Sequence, residues 1–278
     1  MGYKIKNIVK NVFLFLFGLA LIYPLVWLFF ASFKTNDEIF GSLRLFPKSF
    51  SWDAYINGWK GSGQFGYGVF LINTFKLVIP TVFFTVVSSS MVAYGFARFN
   101  FVCKKPLFAL MISTLMLPNT VIIIPRYLQF EKLGWLNSYL PFIVPAIFAC
   151  YPFFIFMLVQ FFRGIPRDLD ESAFLDGCSR GRFLVSILLP LSKSALFSVV
   201  IFQFIWTWND FFNSLIYIDS VKRFPLSLGL RMSMDATTSI NWNQIIAMSI
   251  ITIIPPVILF FSAQKHFVEG IATTGIKG

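Results

Sequence analysis

Six stretches of this chain are apolar for long enough to cross a lipid bilayer, and no soluble architecture absorbs six of them in 278 residues. They lie near 12–33, 69–97, 107–125, 139–162, 194–217 and 241–264. A spanning helix needs about 20 apolar residues, because each adds about 1.5 Å against a hydrocarbon core about 30 Å thick. Composition agrees. The chain is 57% hydrophobic and 13% charged, with a mean hydropathy of +0.74, whereas a soluble domain carries roughly 25% charge. Thirty-seven Phe and seven Trp need either a very large core or lipid around them. The expected fold class is all-α, a polytopic membrane protein of six transmembrane helices. It is read as one transmembrane domain over 1–278, with its first helix at 12–33, a core at 69–264 and a tail at 265–278.

The net charge of +11 would point to nucleic acid in a soluble protein. Here it is read as basic flanks of membrane helices facing anionic lipid, with no nucleic-acid partner. Thirteen of the 23 Lys and Arg fall on the side that holds both termini. The bias is clearest in 1–10 and 98–106, each with three bases and no acid. Both termini are therefore placed in the cytoplasm. The apolar run after Lys4, Lys6 and Lys10 is as long as a span and is followed by no A-x-A-like site. It reads as an uncleaved first helix. Pro80, Pro118, Pro125, Pro145, Pro152, Pro255 and Pro256 lie within or beside apolar runs and are expected to bend them.

Several motifs fail on their own chemistry. Cys103, Cys150 and Cys178 have no CxxC spacing, and His266 is the one histidine, so neither a zinc site nor a disulfide framework is expected. Gly61-Ser62-Gly63-Gln64-Phe65-Gly66 spells GxGxxG but lies in a loop before a span, where the strand that a dinucleotide site requires is not expected. Gly270 and Gly275 have Walker-A spacing, yet Ile276 stands where the phosphate-holding lysine must be. No Ser/His/Asp set and no HExxH is present. The chain is read as a non-catalytic subunit with no bound cofactor.

The loop 163–193 carries the most information. Pro166 suits the first turn of a helix. Asp168, Asp170 and Glu171 then crowd the positive end of the helix dipole. Gly177 stands where a left-handed cap is wanted, and Phe183 to Leu189 forms a second amphipathic stretch. The pattern predicts helix, glycine turn, helix. On physics alone it is either a docking knob or an amphipathic loop lying on headgroups.

The order Glu171-Ser172-Ala173, three residues, Gly177, nine residues, Ile187-x-Leu189-Pro190 resembles the EAA signature of ABC importer permeases, with Ser172 in place of Ala. Ser32-Phe33-Lys34-Thr35, Trp206-Thr207-Trp208-Asn209-Asp210-Phe211 and the ending Phe267 to Gly278 resemble the carbohydrate-uptake branch. The nearest likeness is to the smaller permease subunit of maltose-type and multiple-sugar importers, over essentially the whole chain. The resemblance implies a type I ABC importer permease fold and a role as translocation subunit of an ATP-driven, binding-protein-dependent sugar or oligosaccharide importer. It implies that Glu171, Ser172, Ala173, Asp176, Gly177 and Pro190 belong to a coupling segment seated on an ATPase. In that arrangement Ala173 and Gly177 are small to allow close approach. It implies that the C-terminal tail, with Gly275 and Lys277, also reaches the ATPase pair. The partners implied are a second, related permease, two ATPase subunits holding ATP and Mg, an extracytoplasmic sugar-binding protein and membrane lipid. An ABC permease for a non-sugar solute, a secondary transporter and a membrane enzyme are the alternatives.

Polar groups in the fifth span fall on one face. Gln203, Thr207, Asp210 and Ser214 are spaced four, three and four, with Trp206 and Asn209 beside them. A carboxylate deep in a span costs roughly 3 kcal/mol on insertion scales, so Asp210 should face the bundle or a wet cavity. Trp206, Asn209, Asp210 and Gln203 suit sugar recognition, with Asn73 and Lys76, and Asn119 beside Pro118, as weaker candidates. The competing reading is that Asn209 and Asp210 only fasten or cap helices.

Overall fold

The computed structural model describes residues 2–61, 64–234 and 240–274. Among these every regular element is helical. The elements are α1 (Gly2–Ala31), α2 (Asn36–Gly41), α3 (Asp53–Lys60), α4 (Tyr67–Arg98), α5 (Lys104–Ser113), α6 (Asn119–Lys132), α7 (Leu140–Ile147), α8 (Pro152–Gly164) and α9 (Asp168–Leu175). Then follow α10 (Arg180–Phe183), a π-turn at Leu184–Leu188, α11 (Leu189–Leu191), α12 (Lys193–Trp208), α13 (Phe211–Tyr217), α14 (Leu226–Met232) and α15 (Trp242–Thr274). The GxGxxG run follows the helix α3 instead of a strand.

Four spans are long and apolar without a sharp bend: Lys6–Ala31, Tyr67–Arg98, Leu140–Gly164 and Trp242–Gln264. The other two expected spans are bent pairs. Lys104–Met116 meets Asn119–Lys132 at 103°, and Arg180–Leu191 meets Lys193–Trp208 at 80°. The count is therefore four, or six when each bent pair is one span. The first bend falls at Leu117-Pro118, where proline disfavours helix at the residue before it, and Leu117 is extended at ψ 119. The second falls at Ser192, two residues beyond Pro190. Pro80, Pro125, Pro145, Pro255 and Pro256 lie inside helices without ending them, so proline marks a break here in the minority of cases. The fifth span does not run to 217: α12 stops at Trp208, and α13 starts again after Asp210.

Residues are grouped into two compact units, 1–69 with 229–254 and 70–228 with 255–278. In the first unit, no part of the apolar window of α1 is buried within the chain, as expected of a helix solvated by lipid. Behind it Phe33 gathers Phe29, Phe50, Trp52 and Tyr55 at ring separations of 5.1–5.5 Å. Lys34 is buried, with its ammonium donating to the Arg44 carbonyl. Asn36 fastens this segment to the start of α15, donating to the Ile240 carbonyl at 3.2 Å and accepting from the Asn243 amide at 3.1 Å.

The second unit has its main core where α4, α8 and α12 meet the loop 163–193. Ala93, Tyr94 and Ala97 pack with Phe154, Leu158, Phe162, Ala173, Phe183, Leu188 and Val199. A second cluster joins Leu77, Phe130, Phe142, Tyr217 and Ile218. At the far end of α4, Asn73 donates to the carbonyls of Lys222 (2.8 Å) and Phe224 (3.1 Å), and Thr74 accepts from the Leu226 amide (2.8 Å). Asn73 is thus spent on holding a loop.

Candidate functional site

The loop 163–193 folds as helix, turn, helix. Its first helix, α9, opens with Asp168, Asp170 and Glu171 in the first turn, where carboxylates complement the dipole. Pro166 stands two residues ahead of α9, outside the first turn. At the other end Gly177 has φ +78, the Gly177 amide donates to Phe174 O (3.1 Å) and the Cys178 amide to Ala173 O (2.9 Å). That pair of bonds is a Schellman cap, which needs a left-handed residue at the position Gly177 fills. Ser179 then caps α10 by accepting from the Arg182 amide at 3.4 Å.

The two faces of α9 differ. Glu171, Ser172, Asp176 and Gly177 are exposed, and Leu175 is 88% exposed. Ser172 also donates back to the Asp168 carbonyl at 2.8 Å. Ala173 points the other way, 7% exposed in the chain's own core. The expectation that Ala173 is small for an outside partner is corrected: its size lets α9 lie against Tyr94, Phe162 and Phe183. Pro190 is exposed within α11, beside the bend at Ser192.

Asp170 is buried on that same inner face. Its Oδ2 lies 3.0 Å from the Nε of Arg98, the last residue of α4, with the two side chains 13% and 4% exposed. Arg98 also donates through Nη2 to the Ile165 carbonyl at 3.1 Å. Burial holds the Asp170 carboxyl above its ordinary value, against the opposing pull of the Arg98 charge beside it. Sequence reasoning counted Arg98 only as a basic flank of a span.

The second feature is a cavity of about 780 Å³ within the second unit. The first bent pair makes it, because the turn at Pro118 swings α6 back so that Asn119, Arg126 and Gln129 line the wall. Opposite stand Tyr151 and Phe153 at the α7–α8 break, Gln203, Trp206 and Thr207 of α12, and Asp210 with Asn213. Trp206 is 47% exposed and rests against Phe153 and Phe154 at 5.2 and 5.1 Å. Gln203 donates to Thr207 at 2.9 Å, the i, i+4 contact that the spacing implies. An aromatic plane, amides and one charge of each sign around a cavity of this size can hold a polar, ring-shaped solute.

Of the residues expected along this path, Gln203, Trp206, Asp210 and Asn119 line the cavity. Asn209 does not: it is exposed and donates back to the Ile205 carbonyl at 2.9 Å, closing the end of α12. Asp210 is the N-cap of α13. Its Oδ1 accepts from the Asn213 amide at 3.1 Å, and both its oxygens accept from Asn213 Nδ2 at 3.0 and 2.9 Å. Arg126, Gln129 and Trp135 were missed. Arg126 lies close enough for its charge to act on Asp210. Asn119, Arg126 and Gln129 are spaced seven and three, a signal of one polar helix side, but the expected span stopped at Pro125. Gly275 and Lys277 lie outside the described residues. The backbone of α15 is helical to Thr274, so the described part of the tail expected at 265–278 continues that helix.

Among the described residues no group of His, Cys, Asp and Glu could hold a metal. Apolar helices of lipid length, a polar cavity lined by residues of the two bent pairs and of Leu140–Gly164, and a capped helix–turn–helix between α8 and α12 are the features of a membrane permease. Comparison with known proteins gives the family. The chain belongs to the binding-protein-dependent transport system inner membrane components, whose family model matches residues 85–273. It is 33% identical over 267 residues to YurM of Bacillus subtilis (strain 168), described as a probable ABC transporter permease protein. That match covers 96% of this chain and 87% of YurM. It is 30% identical to AraQ of the same organism, described as an arabinooligosaccharides transport system permease, over 99% of this chain and 98% of AraQ. It is 29% identical to the trehalose/maltose transport system permease MalG of Thermococcus litoralis, again over 99% and 98%. The fold matches a chain of a bacterial ABC transporter involved in the import of the acidic polysaccharide alginate, with TM-score 0.83 and 21% identity. The match covers 95% of this chain and 97% of that one. The protein is therefore a membrane-embedded translocation component of a binding-protein-dependent ABC importer. It is not itself a catalyst: it works with a substrate-binding protein and an ATPase that is a separate subunit, to which ATP and Mg belong.

Proposed function

We propose that this chain is the smaller, MalG-like permease of an importer for a sugar or oligosaccharide, and that the whole of 1–278 serves as one permease domain. The observation that carries the sugar is the cavity, whose exposed Trp206 face stands among Gln203, Asn119, Gln129 and Asn213. Sugar rings offer a flat apolar face and a rim of hydroxyls, which aromatic and amide groups match. The relatives named for oligosaccharides align over nearly the full chain, which supports the same reading. The proposed path is Gln203, Trp206, Asp210 and Asn119, to which Arg126 and Gln129 are added. Asn209 serves the helix end.

The complex proposed is a heterodimer with a second, related permease, carrying two ATPase subunits and receiving solute from an extracytoplasmic sugar-binding protein. Both termini and the loop 163–193 lie in the cytoplasm, a reading supported by the excess of Lys and Arg on that side. The exposed face of α9, with Glu171, Ser172, Asp176 and Gly177, is the coupling contact to the ATPase. Ala173 supports it from behind, and Pro190 with Ser192 marks the joint to α12.

Reconstituted with its partner subunits, the transporter should accumulate a labelled oligosaccharide in vesicles only when ATP and binding protein are both present. Uptake without an ATPase, or of no sugar among a broad panel, would overturn the reading. The tail with Gly275 and Lys277 is proposed to reach the ATPase pair. Deleting Gly270 to Gly278 should leave insertion and assembly intact while lowering uptake, and full uptake by the shortened chain would remove that contact.

A further inference from the structure

We propose that Arg98 is a positioning residue for coupling, holding the inner face of α9 to the end of α4 through Asp170 and Ile165. The inference rests on the reading of 163–193 as the coupling segment and goes beyond it, because the chain does not join that segment to α4. Its covalent neighbours are α8 and α12. The observations are three. The Arg98 Nε–Asp170 Oδ2 pair, at 3.0 Å, is nearly closed to solvent. The same guanidinium donates to the Ile165 carbonyl, at the joint between α8 and α9, at 3.1 Å. One turn earlier on α4, the Tyr94 hydroxyl donates to the Arg180 carbonyl of α10 at 3.2 Å. The last turn of α4 therefore grips both arms of the loop, one by charge and one by a hydroxyl.

Apolar packing alone would let α9 slide on α4, because dispersion contacts are weak one by one and have no direction. A guanidinium that donates to the fixed Ile165 carbonyl and is ion-paired at 3.0 Å with the Asp170 carboxylate resists that slide. Parting a desolvated pair leaves both charges uncompensated, so the two states of the contact, made and unmade, are well separated. A displacement of α9 by the ATPase then moves α4 as well as α8 and α12. The far end of α4 carries Asn73 and Thr74, which hold residues 222–226. The stroke would reach that segment through a continuous helix.

The test is the ratio of stimulated to basal ATP hydrolysis in the reconstituted complex, with binding protein and sugar as stimulus, measured per assembled complex. Arg98→Gln and the isosteric Asp170→Asn should each lower that ratio at least about tenfold, the scale on which losing one partner of a buried pair acts. The exchanged pair, R98D with D170R, should recover part of the ratio. It should stay short of wild type, because a carboxylate at the end of α4 has no proton to donate to the Ile165 carbonyl. A purely structural role predicts fewer assembled complexes with an unchanged ratio. That result, or a wild-type ratio in either single variant, would overturn the inference. Glu171→Lys separates the two readings. If it uncouples while Arg98→Gln does not, only the clamp fails. If Glu171→Lys leaves coupling intact as well, the coupling-segment reading falls and takes the clamp with it.

Discussion

Glu171→Lys and Gly177→Asp should each abolish stimulation of ATP hydrolysis by loaded binding protein, while the permease still inserts and assembles. Glu171 is exposed in the first turn of α9, where its charge complements both the helix dipole and, on the proposed reading, a docking surface. Reversing that sign puts a cation at the positive end of the helix and against a partner matched to an anion. Like-charge contact across an interface costs several kcal/mol, and about 2 kcal/mol already shifts a docking equilibrium roughly thirtyfold. Gly177 acts through geometry. At φ +78 any Cβ is strained, by about 1–2 kcal/mol, and an aspartate adds negative charge at the negative end of α9. No atom lies within 4 Å of a Cβ built at Gly177, so the effect would come from the turn and not from a clash. The measurement is the stimulated-to-basal ratio in vesicles. Wild-type ratios in both variants would remove the coupling segment from the mechanism.

Asp210→Ala should destabilise the assembled transporter, and Asp210→Asn should do so much less. The carboxylate accepts three hydrogen bonds from Asn213, and its own carbonyl accepts from Ser214 at 2.6 Å. Alanine deletes an N-cap, worth about 0.5–2 kcal/mol, and leaves the part-buried Asn213 amide without its partner at about 1–3 kcal/mol more. A loss of about 2 kcal/mol corresponds to roughly 4–8 °C in a chain of this size. Asparagine is as good an N-cap as aspartate and keeps one oxygen for the Asn213 amide and Nδ2, losing one of the three contacts, so its complex should melt closer to wild type than the alanine variant and transport within about twofold of it. Thermal unfolding of the purified complex, read beside uptake, checks both. A sugar-selective loss of uptake in Asp210→Asn at unchanged stability would make Asp210 a substrate contact as well as a cap.

What could be read from the chain alone was local. The length of each apolar run settled the class, because hydrocarbon thickness acts on consecutive residues. Gly177 four residues after Ala173 was enough to place a helix end, since the Schellman bonds close within six residues. Gln203 and Thr207 met as their spacing implies because α12 is continuous between them. Extrapolation failed where the helices stop. A bend of 103° at Leu117-Pro118 carried Arg126 from an expected loop into the cavity wall. The restart after Asp210 ends the helical phase of the stripe, and of the two readings left open for Asp210 its bonds to Asn213 fit the cap, while the residue still lines the cavity. Periodicity describes faces only while the helix is unbroken, and whether it breaks depends on what satisfies the freed backbone groups nearby. Ala173 and Asp170 show the same limit at the loop. Their inward aim, and the choice of Arg98 as partner for a carboxylate far along the chain, were decided by how α4 and α8 pack, because burial of a charge is tolerated only where tertiary structure delivers its counter-ion.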